Sequence, residues 1–544
     1  MLAPMQHRGG MQVQEEGGPG HAIAPLSLAR TAFVGRTLRG PVGQPLLIRS
    51  FADFQQIFGG LWQPSTLSYA VEQYFDNGGI EALIVRVHNG ARPATLSLPA
   101  GGGTLQLQAV RPGTREFLRA CVDYDNIAPG QLLHFNLTLQ RIRIQGSLRV
   151  EDQETYHNVS LDPQADTFIG RMLADSDLLV PLEPLPAQRP EPTPDPVTGL
   201  PTGYVHANSD GDDGAPVTDY DLIGSAVERT GLFALSLADE FNFLCIPPIS
   251  RTQDVGPGTL LVAARFCRER RALLIVDPPE GWATADDALA SLRGWELCSE
   301  DAVMFFPRIL AHDKLRGRFE TFAPCGAVAG MLARHAGGLA ALLAPDADEP
   351  VLRPGFRPVC TVPEDRRMRL AALGVNTLQT VRAPVAGLLR LRTLGAANAA
   401  ARDWRYLNNR RLVLAIMGSI ERGTRWVAVA GALPEVPELL ESQVRQFLAG
   451  LHAAGVFGTL RPEDAWYVAA DRRIEAAPER MRREFHFLVG VAAERPGEFH
   501  SFRISHSLVA SQVRAVTMNQ LQDPRPQSRP FSAPPVHPDA TAHP

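Results

Sequence analysis

The sequence predicts a multidomain protein of mixed α/β and α+β class. Three observations carry that reading. At 544 residues the chain exceeds what one hydrophobic core organises, so two to four domains are expected. Short apolar runs alternate with helix signals over residues 31–90, and residues 219–390 return to that α/β alternation. Between them, residues 95–182 switch to period-two alternation, the mark of antiparallel strands with one buried face.

The elements follow in order. Residues 1–30 are polar and Gly-rich, with one alternating patch, Met11-Gln12-Val13-Gln14-Glu15, too short to make a sheet of its own. Thr31–Gly35 and Leu46–Ser50 read as strands, with Ser50 placed as N-cap of a helix Phe51–Phe58. A second helix, Ser68–Phe75, stops at Asn77-Gly78-Gly79, and Ile80–Val87 reads as a buried strand. Thr104–Val110, Leu118–Tyr124, His134–Ile144 and Ser147–Val150 are the strands of a small inserted β domain, and Asp166–Asp177 is expected to be helical. Residues 183–218 are rich in Pro, Gly and Asp and read as a long exposed loop. Phe243–Ile246, Ala272–Val276 and Ala302–Phe306 are apolar strands, and the Gly/Ala-rich stretch Gly326–Leu343 suits close helix packing. Residues 395–518 form a C-terminal domain. The Pro-rich tail 519–544 is expected to be disordered.

Composition excludes several chemistries. A net charge of -5 supplies no general attraction to nucleic acid or anionic membrane. Lys314 is the single lysine, and its His312-Asp313-Lys314-Leu315 context cannot be a P-loop. Leu273-Leu274-Ile275-Val276-Asp277 is therefore read as a buried parallel strand stopped by Pro278-Pro279, not as half of an NTPase site. The six cysteines form no Cys-x-x-Cys, and Cys245, Cys267 and Cys360 read as small buried hydrophobes in a reducing compartment. No apolar run reaches the ~18 residues of a membrane helix, and no secretory leader is expected. Asn208–Gly214 resembles a calcium loop, but Asp213 stands where the sharp turn needs Gly, so a solvated turn is expected. His500 and His506 lie about 20 Å apart along a strand and cannot share a metal. His312 and His335 have no Gly-x-Ser-x-Gly partner. No catalytic residue, cofactor or metal is assigned.

Two surfaces stand out. Arg405, Arg410 and Arg411 cluster with Trp404 and Tyr406 ahead of an apolar run read as a strand. Bidentate pairing of arginine with carboxylates suits a protein contact better than nucleic acid there. A helix Pro437–Leu451 carries Glu438, Glu441 and Arg445 on a mixed-charge face, either solvated or turned to a partner.

Asp403-Trp404-Arg405-Tyr406-Leu407-Asn408-Asn409-Arg410-Arg411, an apolar run, then Ser419-Ile420-Glu421-Arg422-Gly423-Thr424-Arg425-Trp426-Val427 resemble the C-terminal domain of contractile tail sheath proteins, the subunits of phage tails and phage-tail-like injection particles. Other blocks match in order: Ala32–Thr37 with Arg39-Gly40-Pro41, Tyr69–Val87, Ser209-Asp210-Gly211 with Asp219–Ser225, Phe243–Pro248, Leu274–Pro279, Phe305–Arg308, Phe322–Gly330, and Arg495–Phe499 with Phe502-Arg503-Ile504. They span about residues 30–505. Two places depart from the family's pattern: Gly10–Glu15 stands for its usual Pro-Gly-Val-Tyr start, and Ala207-Asn208 for paired glycines.

The resemblance implies a non-enzymatic structural subunit with a core in two parts, 31–94 and a subtilisin-like 219–394, an outward-facing insert 95–182 and a C-terminal domain. It implies helical assembly with further copies around an inner tube protein, with baseplate and terminal cap proteins at the ends, no nucleic acid and no membrane insertion. It implies contraction that drives the tube through a target envelope, and assembly in the bacterial cytoplasm. It also implies strand exchange between subunits, assigned to Met11, Val13 and Glu15 of the arm and to Phe502, Arg503 and Ile504. Arg405, Arg410, Arg411, Glu438, Glu441 and Arg445 become candidate tube or neighbour contacts. The alternatives are a hydrolase on the subtilisin-like fold and a non-contracting sheath paralogue near baseplate or cap.

Overall fold

The structure is a computed structural model. It describes residues 22–516 apart from 146, 196–197, 201, 335–337, 344–346, 348, 380–388, 399–403, 431–434, 459, 470–484, 494–497 and 508–510. Two compact units are present. Ser27–Arg410 forms one, and the stretch before Ser27 together with Arg411 onward forms the other.

The larger unit begins with β1 (Arg30–Gly35), β2 (Leu46–Ile48) and β3 (Glu81–Arg86). Ala32, Phe33 and Val34 of β1 are wholly buried, as a strand covered on both faces requires. The helix Phe51–Phe58 starts where expected, because Ser50 Oγ accepts the Asp53 N–H at 3.1 Å. It ends at Gly59, whose φ of 90° a side chain would strain.

The insert contributes β4 (Thr95–Ala100), β5 (Gly103–Ala109), β6 (Leu118–Asp123), β7 (His134–Gln145), β8 (Ser147–Ser160), β9 (Leu179–Pro181) and β10 (Val205–His206). These make two antiparallel sheets, ordered β4-β5-β9 and β10-β6-β7-β8. The alternation places Leu96, Leu98, Leu105, Leu107, Leu137 and Leu139 in one core. Three expectations are corrected. β8 runs ten residues past Val150, because its register with β7 continues to Ser160. The helix expected over Asp166–Asp177 is one turn, Ile169–Met172. The 183–218 loop is stitched back to the insert: β10 pairs with β6, Asp210 accepts from the N–H and hydroxyl of Thr95, and Asp213 does the same for Thr114. The carboxylates of the calcium-like turn thus act as backbone clamps.

The remainder of this unit holds β11 (Phe243–Cys245), β12 (Leu273–Val276), β13 (Ala302–Phe306), β14 (Ile309–Asp313), β15 (Arg318–Phe322), β16 (Arg357–Pro358) and β17 (Val375–Thr377). The main sheet has seven strands in the order β17-β13-β12-β11-β1-β3-β2. All its pairings are parallel except that of β2 with β3. The helix Leu67–Asp76 packs on the helix Cys325–Arg334. Gly326 and Gly330 make that approach possible: an added Cβ would lie 2.0 Å from the Ala70 carbonyl oxygen and 2.2 Å from that of Tyr74.

The second unit carries β18 (Trp466–Ala469), β19 (Phe485–Val491), β20 (His500–His506) and β21 (Ser511–Val516), antiparallel in that order. Residues read as a strand after Arg411 belong to the helix Leu407–Gly423. Its Leu412, Val413, Ala415, Ile416, Met417 and Ile420 are all buried. A helix apolar around most of its girth shows no period, so a short run of it looks like a buried strand. Just before Ser27 the chain lies along this helix: the Leu26 N–H donates to Ser419 Oγ at 3.0 Å, and Ile23 fills the space beside Gly423. No described helix is long and apolar enough to cross a membrane.

Candidate functional site

Two regions are candidates: the crevice where a parallel sheet binds ligands, and the surfaces singled out in the sequence.

Strand order in the main sheet reverses between β1 and β11, and ligands of such sheets sit beyond the carboxyl ends of the strands at that point. Here the crevice is filled. Pro247 and Pro248 follow β11, Tyr69 stacks on Phe322 with ring centroids 5.2 Å apart, and the Arg251 guanidinium lies 4.9 Å from the Tyr69 ring centre. Arg251 is held by Asp313 at 2.6 Å and Arg308 by Asp254. Among the described residues, cavities of about 20 Å³ beside Gln73 and Arg251 and about 30 Å³ between Asp254, Asp277 and Trp295 lie here. Each has room for a water or two, not for a substrate. His312 is exposed against Phe319, and His335 lies outside the described residues.

Asp277 ends β12 as expected, and its Oδ1 accepts the Cys325 N–H at 2.7 Å, capping the helix Cys325–Arg334. Burial raises its pKa to about 6, against the opposing pull of Cys325 and Arg308. The folded state therefore holds this proton more tightly than the unfolded chain. Stability from this group falls as pH rises from about 4 to about 6 and stays lower above that. Asp277→Asn is expected to remove this dependence. Its melting temperature relative to wild type should climb across that interval in thermal scans, and a flat difference would contradict the assignment. Cys245, Cys267 and Cys325 are buried thiols, and Cys360 is half-buried.

The arginine segment divides on folding. Arg410 is 8 % exposed and faces inward. Its Nε and Nη2 reach Asp301 Oδ1 at 3.1 and 2.6 Å, and its guanidinium lies 4.7 Å from the Trp404 ring centre. Asp301 is fully buried, and its Oδ2 takes a further bond from Arg268 Nε at 3.0 Å. Arg410 is thus committed inside its own subunit, which corrects its reading as a partner contact. Arg411 is buried as well. Arg405 is half-buried beside Tyr406. The signal that separates them is the helix itself: Arg410 and Arg411 lie on it, Arg405 before it.

The helix expected over Pro437–Leu451 spans Val436–Ala453. Val436, Leu440, Val444, Phe447 and Leu448 face the core. Glu438, Leu439 and Arg445 are exposed on its outer side, and Glu441 Oε1 accepts from Arg445 Nε and Nη2 at 2.8 and 2.7 Å.

Phe502, Arg503 and Ile504 lie in β20, an interior strand. Leu488 of β19 pairs with Arg503 on one side and Arg514 of β21 on the other. Both edges of β20 are occupied by its own chain. Among the described residues no strand pairs with the outer edge of β18 or β21, though Arg445 Nη2 donates to the Val468 carbonyl oxygen of β18 at 3.1 Å. Met11, Val13 and Glu15 lie outside the described residues.

No protein-family model and no curated protein matches the chain. Solved structures do. The sheath tail protein of Listeria innocua is 13% identical with a TM-score of 0.57, the alignment covering 90% of this chain and 97% of that one. A sheath tail protein of Desulfitobacterium hafniense, 13% identical, aligns over 93% of this chain and 99% of that one with a TM-score of 0.49. The chain shares its fold with the sheath tail protein of Listeria innocua.

Proposed function

We propose that the chain is the structural subunit of a contractile sheath. Copies polymerise helically around an inner tube, and the lattice contracts to drive the tube through a target envelope. The observation that carries this reading is the shared fold with the Listeria sheath tail protein over 90% of the chain.

The joints between copies are strand pairings. An edge strand presents a row of unpaired N–H and C=O groups that a donated strand satisfies. The arm around Met11, Val13 and Glu15 is the donor. On the C-terminal sheet the exchangeable strand is β21, and its departure opens the edge of β20 at Phe502, Arg503 and Ile504 to a neighbour. Arg405 and the Glu438, Glu441 and Arg445 face of the helix Val436–Ala453 are the tube or neighbour contacts, with baseplate and cap proteins engaging the ends of the stack. Assembly takes place in the bacterial cytoplasm, and no nucleotide is consumed because the free energy is stored when the lattice forms.

Deleting residues 1–20 tests this. The truncated protein is expected to keep the wild-type circular dichroism spectrum and melting transition yet to yield no sedimentable polymer. Pelleting equal to that of the full chain would remove the arm from the mechanism.

A further inference from the structure

Beyond its backbone ladder with β20, β21 is held by few side chains. β21 contains no buried residue, and Gln512, Arg514 and Ala515 are exposed. Little apolar surface keeps it in place. At its start, however, lies a fully buried imidazole, His506, with a hydroxyl on each ring nitrogen. Nε2 lies 2.8 Å from Thr424 Oγ1, just past the helix Leu407–Gly423, and Nδ1 lies 2.8 Å from Ser511 Oγ, the first residue of β21.

The roles of these atoms follow from the chain of bonds. Thr424 Oγ1 donates to the Ile420 carbonyl at 2.6 Å, so it accepts from His506, and the proton sits on Nε2. Nδ1 is then the acceptor of the Ser511 hydroxyl. The neutral ring thus ties the end of β20 and the start of β21 to the helix, with Phe487 packed at 6.0 Å.

We propose that His506 is a clasp that keeps β21 on its own sheet, and that protonating or removing its ring releases β21 to pair with another copy of the chain. This rests on the sheath reading above. A protonated ring has a donor at Nδ1, so the Ser511 hydroxyl must turn away or lose its bond. The cation would be shut in beside Phe487. The charged and titratable groups facing it are Glu421 and Arg425 at the end of the helix and His486 on β19. Glu421 is itself paired with Arg425 through contacts of 3.0 and 3.2 Å, so its charge is shared. Burial, with Arg425 and His486 adding to it, lowers the His506 pKa to about 4 from 6.5, against Glu421. The sign is that of a depressed histidine: the clasp is at full strength above about pH 6.5 and weakens as pH falls toward 4. In the closed state β21 occupies the edge of β20, so the clasp also restrains premature polymerisation.

Hydrogen exchange on the full-length protein, corrected for intrinsic rates, tests this at about pH 7 and about pH 4.5. In wild type, protection of Ser511–Val516 is expected to fall roughly ten-fold on acidification while β19 holds. In His506→Gln it is expected to be low at both pH values, and sedimentable polymer should form sooner at neutral pH. Ser511→Ala, which loses one hydroxyl without opening a cavity, should move the same way if the histidine variant unfolds the whole sheet. The clasp is wrong if both variants keep wild-type protection at both pH values, or if β21 loosens and polymer onset does not change. Failure of every protein to polymerise, with or without a tube protein, would instead count against the sheath reading, leaving the exchange data to decide the clasp.

Discussion

Asp301→Ala is expected to cost about 3–5 kcal/mol of stability, one of the largest effects of any single substitution in this chain. The carboxylate is fully buried and joins Arg410, 109 residues away in sequence, to Arg268. Removing it leaves the Arg410 guanidinium out of water with its counter-charge gone, which costs far more than the intact pair contributes. Arg268→Ala is the control. Its side chain is 57% exposed, so water replaces the lost bond and the expected cost is below about 1 kcal/mol. The chain has more than one unit, so the comparison uses the denaturation midpoint of the Ser27–Arg410 unit followed by limited proteolysis, not a two-state fit to the whole protein. Equal midpoints for the two variants would show that Asp301 does not anchor Arg410.

Gly326→Ala is the second. The helices Leu67–Asp76 and Cys325–Arg334 cross with backbone against backbone, and a methyl group at 326 would sit 2.0 Å from the Ala70 carbonyl oxygen and 2.6 Å from its carbon. Main chain cannot rotate away as a side-chain end can, so the helices must part. The expected cost is roughly 1–3 kcal/mol, larger for Gly326→Val. Gly330→Ala meets Tyr74 backbone in the same way. Gly281→Ala is the matched control, because nothing lies within 4 Å of its added Cβ. A melting temperature for Gly326→Ala within a degree or so of that control would contradict the close crossing.

What the sequence disclosed tracks how local the physics is. Ser50 as N-cap, the Asn77-Gly78-Gly79 stop and the unbroken apolar runs of the main sheet depend on neighbours a few residues away, and they were readable. The Gly/Ala-rich stretch pointed to close helix packing, though not to the helix it meets. The helix Leu407–Gly423 was misread because burial nearly all around removes the period that separates a helix from a strand. The Asp301–Arg410 pair was invisible for a different reason. It closes across 109 residues, and once the helix Leu407–Gly423 is read as a strand the local signal that sets Arg410 and Arg411 apart from Arg405 is lost. Likewise the resemblance assigned Phe502–Ile504 to a C-terminal strand but not to its place in the sheet. Whether a strand is an edge or interior depends on where other strands return, here Phe485–Val491 and Ser511–Val516.

Copies of this chain are expected to build a tubular lattice, which negative-stain electron microscopy of the full-length protein, alone and co-expressed with a tube protein, would reveal. Long, hollow, striated tubes should form from the purified chain or around the tube protein, and should be absent when residues 1–20 are deleted. Monodisperse particles under both conditions would contradict it.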